Sequence, residues 1–240
     1  RSSSRRLPAA RFRGGDLSSV TVVSINQPYY LPWLGIFDRI RRSDLHVVLD
    51  HVTLEKGGYT NRSLLPQTPG GNHWLTVPVE KGKPINETRI VGDQRWRRKH
   101  RATLSQMYGL MLRYPETDSL IELLDVTTQT LVEQFRLDEG LWQIPRVHSS
   151  SLGADGVKSD LVLNICREVG ATQYLSGAQG RNYLDIPAFE AAGIEVLYHE
   201  VSGDKPSLDY LFDPKEHTWL QAHLTSHHYS QNSEAEAPPA

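Results

Sequence analysis

Residues 20–50 read VTVVSINQPYYLPWLGIFDRIRRSDLHVVLD, and this stretch decides the fold. The β-branched run Val20, Thr21, Val22 and Val23 predicts a buried strand. A helix is predicted to start near Leu34, and LHVVLD supplies the next strand. The loop between them carries Asn26, Gln27, Tyr29, Tyr30 and Trp33, with Pro28 and Pro32 restricting its backbone. Ligands of open α/β sheets bind where strand ends feed such loops. A pre-ordered set of amide and aromatic groups at that place is suited to hold one. The other reading of the same residues is a stiff connection in which Trp33 caps the core.

Working outward, strand-like and helix-like segments alternate. Strand candidates are 20–25, 45–50, 74–79, 87–91, 173–176 and 194–200. Helix candidates are 34–42, 96–108, 117–136, 157–169, 186–192 and 207–212. Gly170 and Gly193 fall where helices should stop before the next strand. This alternation predicts a Rossmann-like α/β fold: a mainly parallel sheet with helices on both faces, interrupted by a helical insertion over about 96–142. One domain is expected over 18–225, between a basic disordered tail at 1–17 and a polar one at 226–240.

Composition narrows the function classes. Lys and Arg number 26 against 28 Asp and Glu, so the net charge of -2 gives no general pull toward nucleic acid or membrane. The single cysteine, Cys166, excludes an internal disulfide, and its place in LVLNICREVG predicts a buried thiol. No apolar stretch approaches the roughly 20 residues that span a bilayer, and the first residues lack a signal-peptide core, so a cytoplasmic protein is expected. His223 and His227 have an i, i+4 spacing that can hold a metal, but no convincing third ligand follows, so no metal is expected. No GxGxxG, P-loop or nucleophile-elbow motif is present.

Three further clusters carry chemistry. In LDHVTLEKGGYTNRS, Asp50 stands at a strand end, where a carboxylate can orient an amine. Arg62, next to Asn61, can grip a carboxylate or phosphate through two hydrogen bonds. In WRRKH, Trp96 and His100 lie one helical turn apart beside Lys99, and histidine takes a proton near neutral pH. In YLSGAQGRNYLD, a strand ends at Ser176 and a glycine-containing loop presents Gln179, Arg181, Asn182, Tyr183 and Asp185. If the strands are parallel, Gln27, Asp50 and Ser176 gather on one sheet edge.

The ordered set QPYYLPWLGIFDRI, SDLHVVLDHV, Asn61-Arg62, WLTVPV, Trp96 with Lys99-His100, GVKSDLVLNICREVGATQYLSG, GRNYLD, FEAAGIEVLY and PSLDYLF resembles the bacterial WbqC-like family. The segment between Tyr198 and Pro206 is shorter than the family pattern and lacks its tyrosine–proline–glutamine word. The resemblance implies a role in O-antigen and other sugar-modification clusters, with transfer of glycine or a similar acyl group. On that basis His100 is the expected base, and Lys99 and Arg62 support a carbonyl oxygen or donor phosphate. Asp50, Gln27 and Tyr29 would orient the amine acceptor; Trp33, Asn61, Ser176, Gln179 and Tyr183 would complete the cleft. No bound cofactor is required. The activated acyl donor is a thioester (on an acyl or peptidyl carrier protein, for example), an adenylate or an aminoacyl-tRNA, and the near-neutral charge argues against the last. Two other readings stay open: an adenylate-forming or nucleotidyl-transferring enzyme, and a non-catalytic module that binds a sugar or carrier protein.

Overall fold

The computed structural model describes residues 21–68, 71–134 and 144–199. The run VVSIN forms strand β1 (Val22–Asn26), buried along its whole length. Strands β2 (Leu45–Val48), β5 (Arg146–His148), β6 (Gln173–Gly177) and β7 (Glu195–His199) join it in one sheet, every pair parallel, in the order β5-β2-β1-β6-β7. Helix α1 (Leu34–Arg41) connects β1 to β2, α4 (Ser159–Glu168) precedes β6, and α5 (Ile186–Ala191) connects β6 to β7. The fold is the α/β, Rossmann-like arrangement expected from the alternation. From β1 the chain first extends the sheet through β2 and β5, then returns to β1's other side with β6. The β1–β6 gap is therefore the switch point at which open α/β sheets take ligands.

Side chains alternate along each strand, and the two faces differ in chemistry. Val23, Ile25, Val47 and Tyr174 point to one face and pack with Leu161 and Ile165 of α4 and Phe189 of α5. Each such apolar side chain is worth about 1.5–3 kcal/mol when fully buried. The opposite face is polar at its centre: Ser24 Oγ lies 2.9 Å from both Ser43 Oγ and His46 Nδ1, all buried. A second core lies around Ile36, Phe37 and Ile40 of α1 and the long segment between β2 and β5. That segment holds the antiparallel hairpin β3 (Arg62–Thr68) and β4 (Gly71–Thr76), then α2 (Arg95–Tyr108) and α3 (Leu120–Gln134). Gly170 and Gly193 have φ of 71° and 72°, the left-handed conformation that ends α4 and α5.

Three expectations need correction. Residues 62–68 form a strand that the sequence pattern did not announce. The expected strand 87–91 is absent: Ile85–Glu87 makes a 3-10 turn, and the following residues make only single bridges, Val79 with Ile90 and Arg89 with Ser119. With no continuous partner strand, the segment still buries Ile85 and Thr88 and packs Ile90 against the core. The edge strand β5 was not anticipated either, because three residues are too short to show periodicity. The tails, the helix expected at 207–212, the shortened 199–206 segment beyond His199, residues 135–142 of the helical insertion, and His223 and His227 lie outside the described residues.

Candidate functional site

The C-terminal ends of the five strands form one row. Val48 pairs with Asn26 and with His148, and Gly177 pairs with His199. Since Ser24 pairs with Leu175, Gly177 falls beside Asn26 two residues on. Gln27, Asp50 and Ser176 follow or end β1, β2 and β6, so the topology brings all three to this edge.

At the β2–β5 end of the row, Asp50 is 2% exposed. Its Oδ2 accepts from His148 Nδ1 (2.9 Å) and Ser150 Oγ (2.8 Å). Its Oδ1 accepts from the Ser150 amide (2.8 Å) and Ser149 Oγ (3.1 Å). A carboxylate has about four lone-pair sites, and all are used. Burial pushes the Asp50 carboxyl up, but the bonds from His148 and Ser150 outweigh it and hold the pKa down at about 2. Asp50 is therefore ionised and acceptor-only, so the proton in its bond to His148 sits on Nδ1. Neutral His148 then carries its lone pair on Nε2, the nitrogen able to take a proton. The bond to Asp50 raises the His148 pKa above its ordinary value. Asp125 Oδ2 lies 3.7 Å from His148 Nε2, placed to face an imidazolium. Ser149 Oγ lies 3.1 Å from Asp50 Oδ1, receives the Asp50 amide (3.0 Å) and shares a 2.6 Å hydrogen bond with His51 Nδ1. Ser149 is also buried, at 1% exposed, which keeps its hydroxyl from an incoming acyl group.

Asp50 was expected to orient an amine directly, and saturation of its oxygens changes that. Its side-chain link toward the edge runs through His148. His100 sits apart from this cluster, 6% exposed within the helical core. Its Nδ1 shares a 2.9 Å hydrogen bond with the Tyr30 hydroxyl, which shares one of 2.6 Å with Tyr114. Its ring packs on Trp96 at 5.2 Å, and burial lowers its pKa to about 4. Lys99, the neighbouring residue on α2, is exposed. Arg62 grips its own turn, donating to the carbonyls of Gly58 (3.2 Å) and Gly57, and lies 3.9 Å over the Trp74 ring. Asn61 donates to the Val77 carbonyl at 2.9 Å and fastens the start of the hairpin. Gln27 Oε1 accepts weakly from Thr60 Oγ1 at 3.4 Å. Trp33 folds over Gly35, where any Cβ would collide with the indole. Ser176 is buried and donates to the Gly177 carbonyl. Gln179 is exposed, and so is Tyr183 at 43%.

At the switch point stands a residue that the sequence reading passed over. Arg39, on α1, is 7% exposed, and its guanidinium lies directly against Gly177. Tyr29, Tyr174 and Tyr183 are its electrostatic neighbours, and burial lowers its pKa. Its signal was faint: Arg39 falls one turn from Ile36, on the flank of the apolar stripe Ile36, Phe37 and Ile40 of an amphipathic helix. His148 had a fainter one, in the HSSS run at 148–151. Among the described residues, no group of three His, Cys, Asp or Glu side chains is disposed to hold a metal, and no helix is long and apolar enough to cross a membrane.

The model of the WbqC-like protein family matches residues 27–214. The uncharacterized protein Rv1507c of Mycobacterium tuberculosis is 30% identical over 194 residues, which is 75% of this chain and 83% of the relative. No solved structure matches the chain.

Proposed function

The chain belongs to the WbqC-like protein family, and from that premise we propose that it forms amides by transferring an activated acyl or aminoacyl group to an amine of a sugar or small-molecule scaffold. The observation that supports this reading is the Asp50–His148 pair on the ligand-binding edge of the sheet. Aminolysis needs an acceptor nitrogen relieved of a proton as it attacks. His148 Nε2 takes that proton, Asp50 holds the ring in the required tautomer, and Asp125 faces the resulting charge. The new bond joins the acceptor nitrogen to the acyl carbon. The bond that breaks joins that carbon to the leaving thiolate, phosphate or ribose oxygen, which carries away the electron pair and is then protonated. Burial of Ser149 favours direct transfer over a serine-bound intermediate. His148 thus takes the base's role first assigned to His100.

The pH dependence provides the test. A base must be neutral, and the bond to Asp50 raises the His148 pKa, so the acid limb of the turnover profile should lie above about pH 6.5. His148→Gln should lower turnover about 10²–10⁴-fold with folding intact. Asp50→Asn should lower turnover and move the acid limb to lower pH. An unchanged limb in Asp50→Asn, or near-normal turnover in folded His148→Gln, would remove the pair from the mechanism.

A further inference from the structure

Arg39 is more than nine-tenths buried, yet its Nε has no hydrogen-bond partner, and among the described residues no carboxylate pairs with it. A buried guanidinium without a counter-charge is costly, and an apolar side chain of similar length would fill the same space without that cost. His46, on the same face of the sheet, is buried and has Arg39 among its electrostatic neighbours. On this edge lies an unmet acceptor: Asn26 is 8% exposed, and its buried Oδ1 has no partner. The register puts Asn26 next to Gly177, and parallel neighbours in register point to the same face. The Cβ direction of Gly177 runs into Arg39 Nη1, so Asn26 and the guanidinium lie on the same face, and the Asn26 side chain hydrogen-bonds Tyr29, itself an electrostatic neighbour of Arg39.

The geometry points to an oxyanion subsite at the β1–β6 switch point, in which Arg39 holds a carboxylate or phosphate and Asn26 Oδ1 accepts from an N–H or O–H on the adjoining atom of the same ligand. The planar fork of Arg39 suits either oxyanion. Gly177 leaves room for the guanidinium because it has no side chain. His148 stands three strands away in the row, about 14 Å at a spacing of about 4.8 Å per strand. Arg39 therefore anchors one end of a ligand whose reacting end lies toward β2 and β5. The subsite is a binding claim that holds for any reaction carried out on this edge, so it stands or falls apart from the transfer chemistry.

The test uses the full chain and three probes at constant ionic strength: acetate, glycolate and inorganic phosphate, each titrated to about 100 mM while the melting temperature is followed. The wild-type protein should show a saturable rise with phosphate, or with the carboxylates and glycolate more than acetate; which of these occurs names the source of the oxyanion. Arg39→Met should abolish the rise while the ligand-free melting temperature stays level or increases, as expected when an unpaired buried charge is removed. Arg39→Lys should weaken the saturable effect at least tenfold, and Asn26→Leu should erase the preference for glycolate over acetate. No saturable rise with any probe would overturn the subsite. So would a ligand response that survives Arg39→Met, alone or with a lowered melting temperature, which would mark Arg39 as a packing residue.

Discussion

Replacing His100 separates a packing histidine from a proton-transferring one. The imidazole is 6% exposed, shares a 2.9 Å hydrogen bond with Tyr30 and packs on Trp96 at 5.2 Å. His100→Ala leaves a cavity and deprives the buried Tyr30 hydroxyl of one partner, a loss of about 2–4 kcal/mol. In a domain of this size that lowers the melting temperature by roughly 5–15 °C. His100→Gln keeps hydrogen-bonding capacity and should lose about half as much. Acid adds a second signature. Burial holds the folded-state pKa at about 4, below the ordinary histidine value of about 6.5. The stability associated with neutral His100 is complete above pH 6.5. It is lost as pH falls toward 4, by about 1.4 kcal/mol per pH unit at most. Urea unfolding at pH 7.5 and pH 5 should therefore show the gap between wild type and His100→Gln narrowing in acid, while turnover per folded molecule stays within a few-fold. A loss of 10²–10⁴-fold in turnover with an unchanged melting temperature would refute this reasoning and make His100 the base.

The Asp50 carboxyl, held at about 2 against about 3.8 unfolded, contributes about 2–3 kcal/mol that is present above pH 3.8 and lost as pH falls toward 2. Asp50→Asn should thus unfold earlier in urea at pH 7 and lose less than wild type on acidification from pH 4. In Gly177→Ala the new methyl would collide with Arg39 Nη1, so the oxyanion response should weaken at least tenfold with little change in melting temperature; an unaltered response would separate Gly177 from the subsite. Cys166 is fully buried with its thiol pushed up to about 12, so a disulfide reagent at pH 8 should label it only after denaturant is added.

What the sequence made legible follows the strength of its periodic signals. The VTVVSIN run, the amphipathic helix LGIFDRIR and LHVVLD each carry enough apolar residues to be read alone, and together they place Gln27 and Asp50 on one edge. Gly170 and Gly193 stop helices for a local backbone reason, which is why they could be placed. The hairpin partner β3 was not legible, because Arg62, Ser63 and Pro66 dilute its apolar pattern and its pairing with β4 is a tertiary fact. Asp50 could be placed, but its saturation could not be foreseen. The donors Ser149 and Ser150 lie 99 and 100 residues away and arrive only through the short edge strand β5. The same distance hid His148. The burial of His100 was hidden in the same way: its helical neighbour Trp96 was visible, whereas Tyr30 and Tyr114, whose hydroxyls link to it, come from other parts of the chain.

The central claim, amide formation at the Asp50–His148 end of the sheet edge, is tested most directly by mass spectrometry of the purified full chain. The chain would be incubated with a panel of amino sugars and other small amines and with glycyl thioester, glycyl adenylate and glycyl-tRNA as donors, beside His148→Gln as the control. The account expects a new amide, heavier than the acceptor by one glycyl residue, that forms with one donor class and is lost in folded His148→Gln. Pyrophosphate release from ATP without amide would contradict it in favour of a nucleotidyl-transferring enzyme. Saturable sugar binding with no product from any donor would contradict it in favour of a binding module.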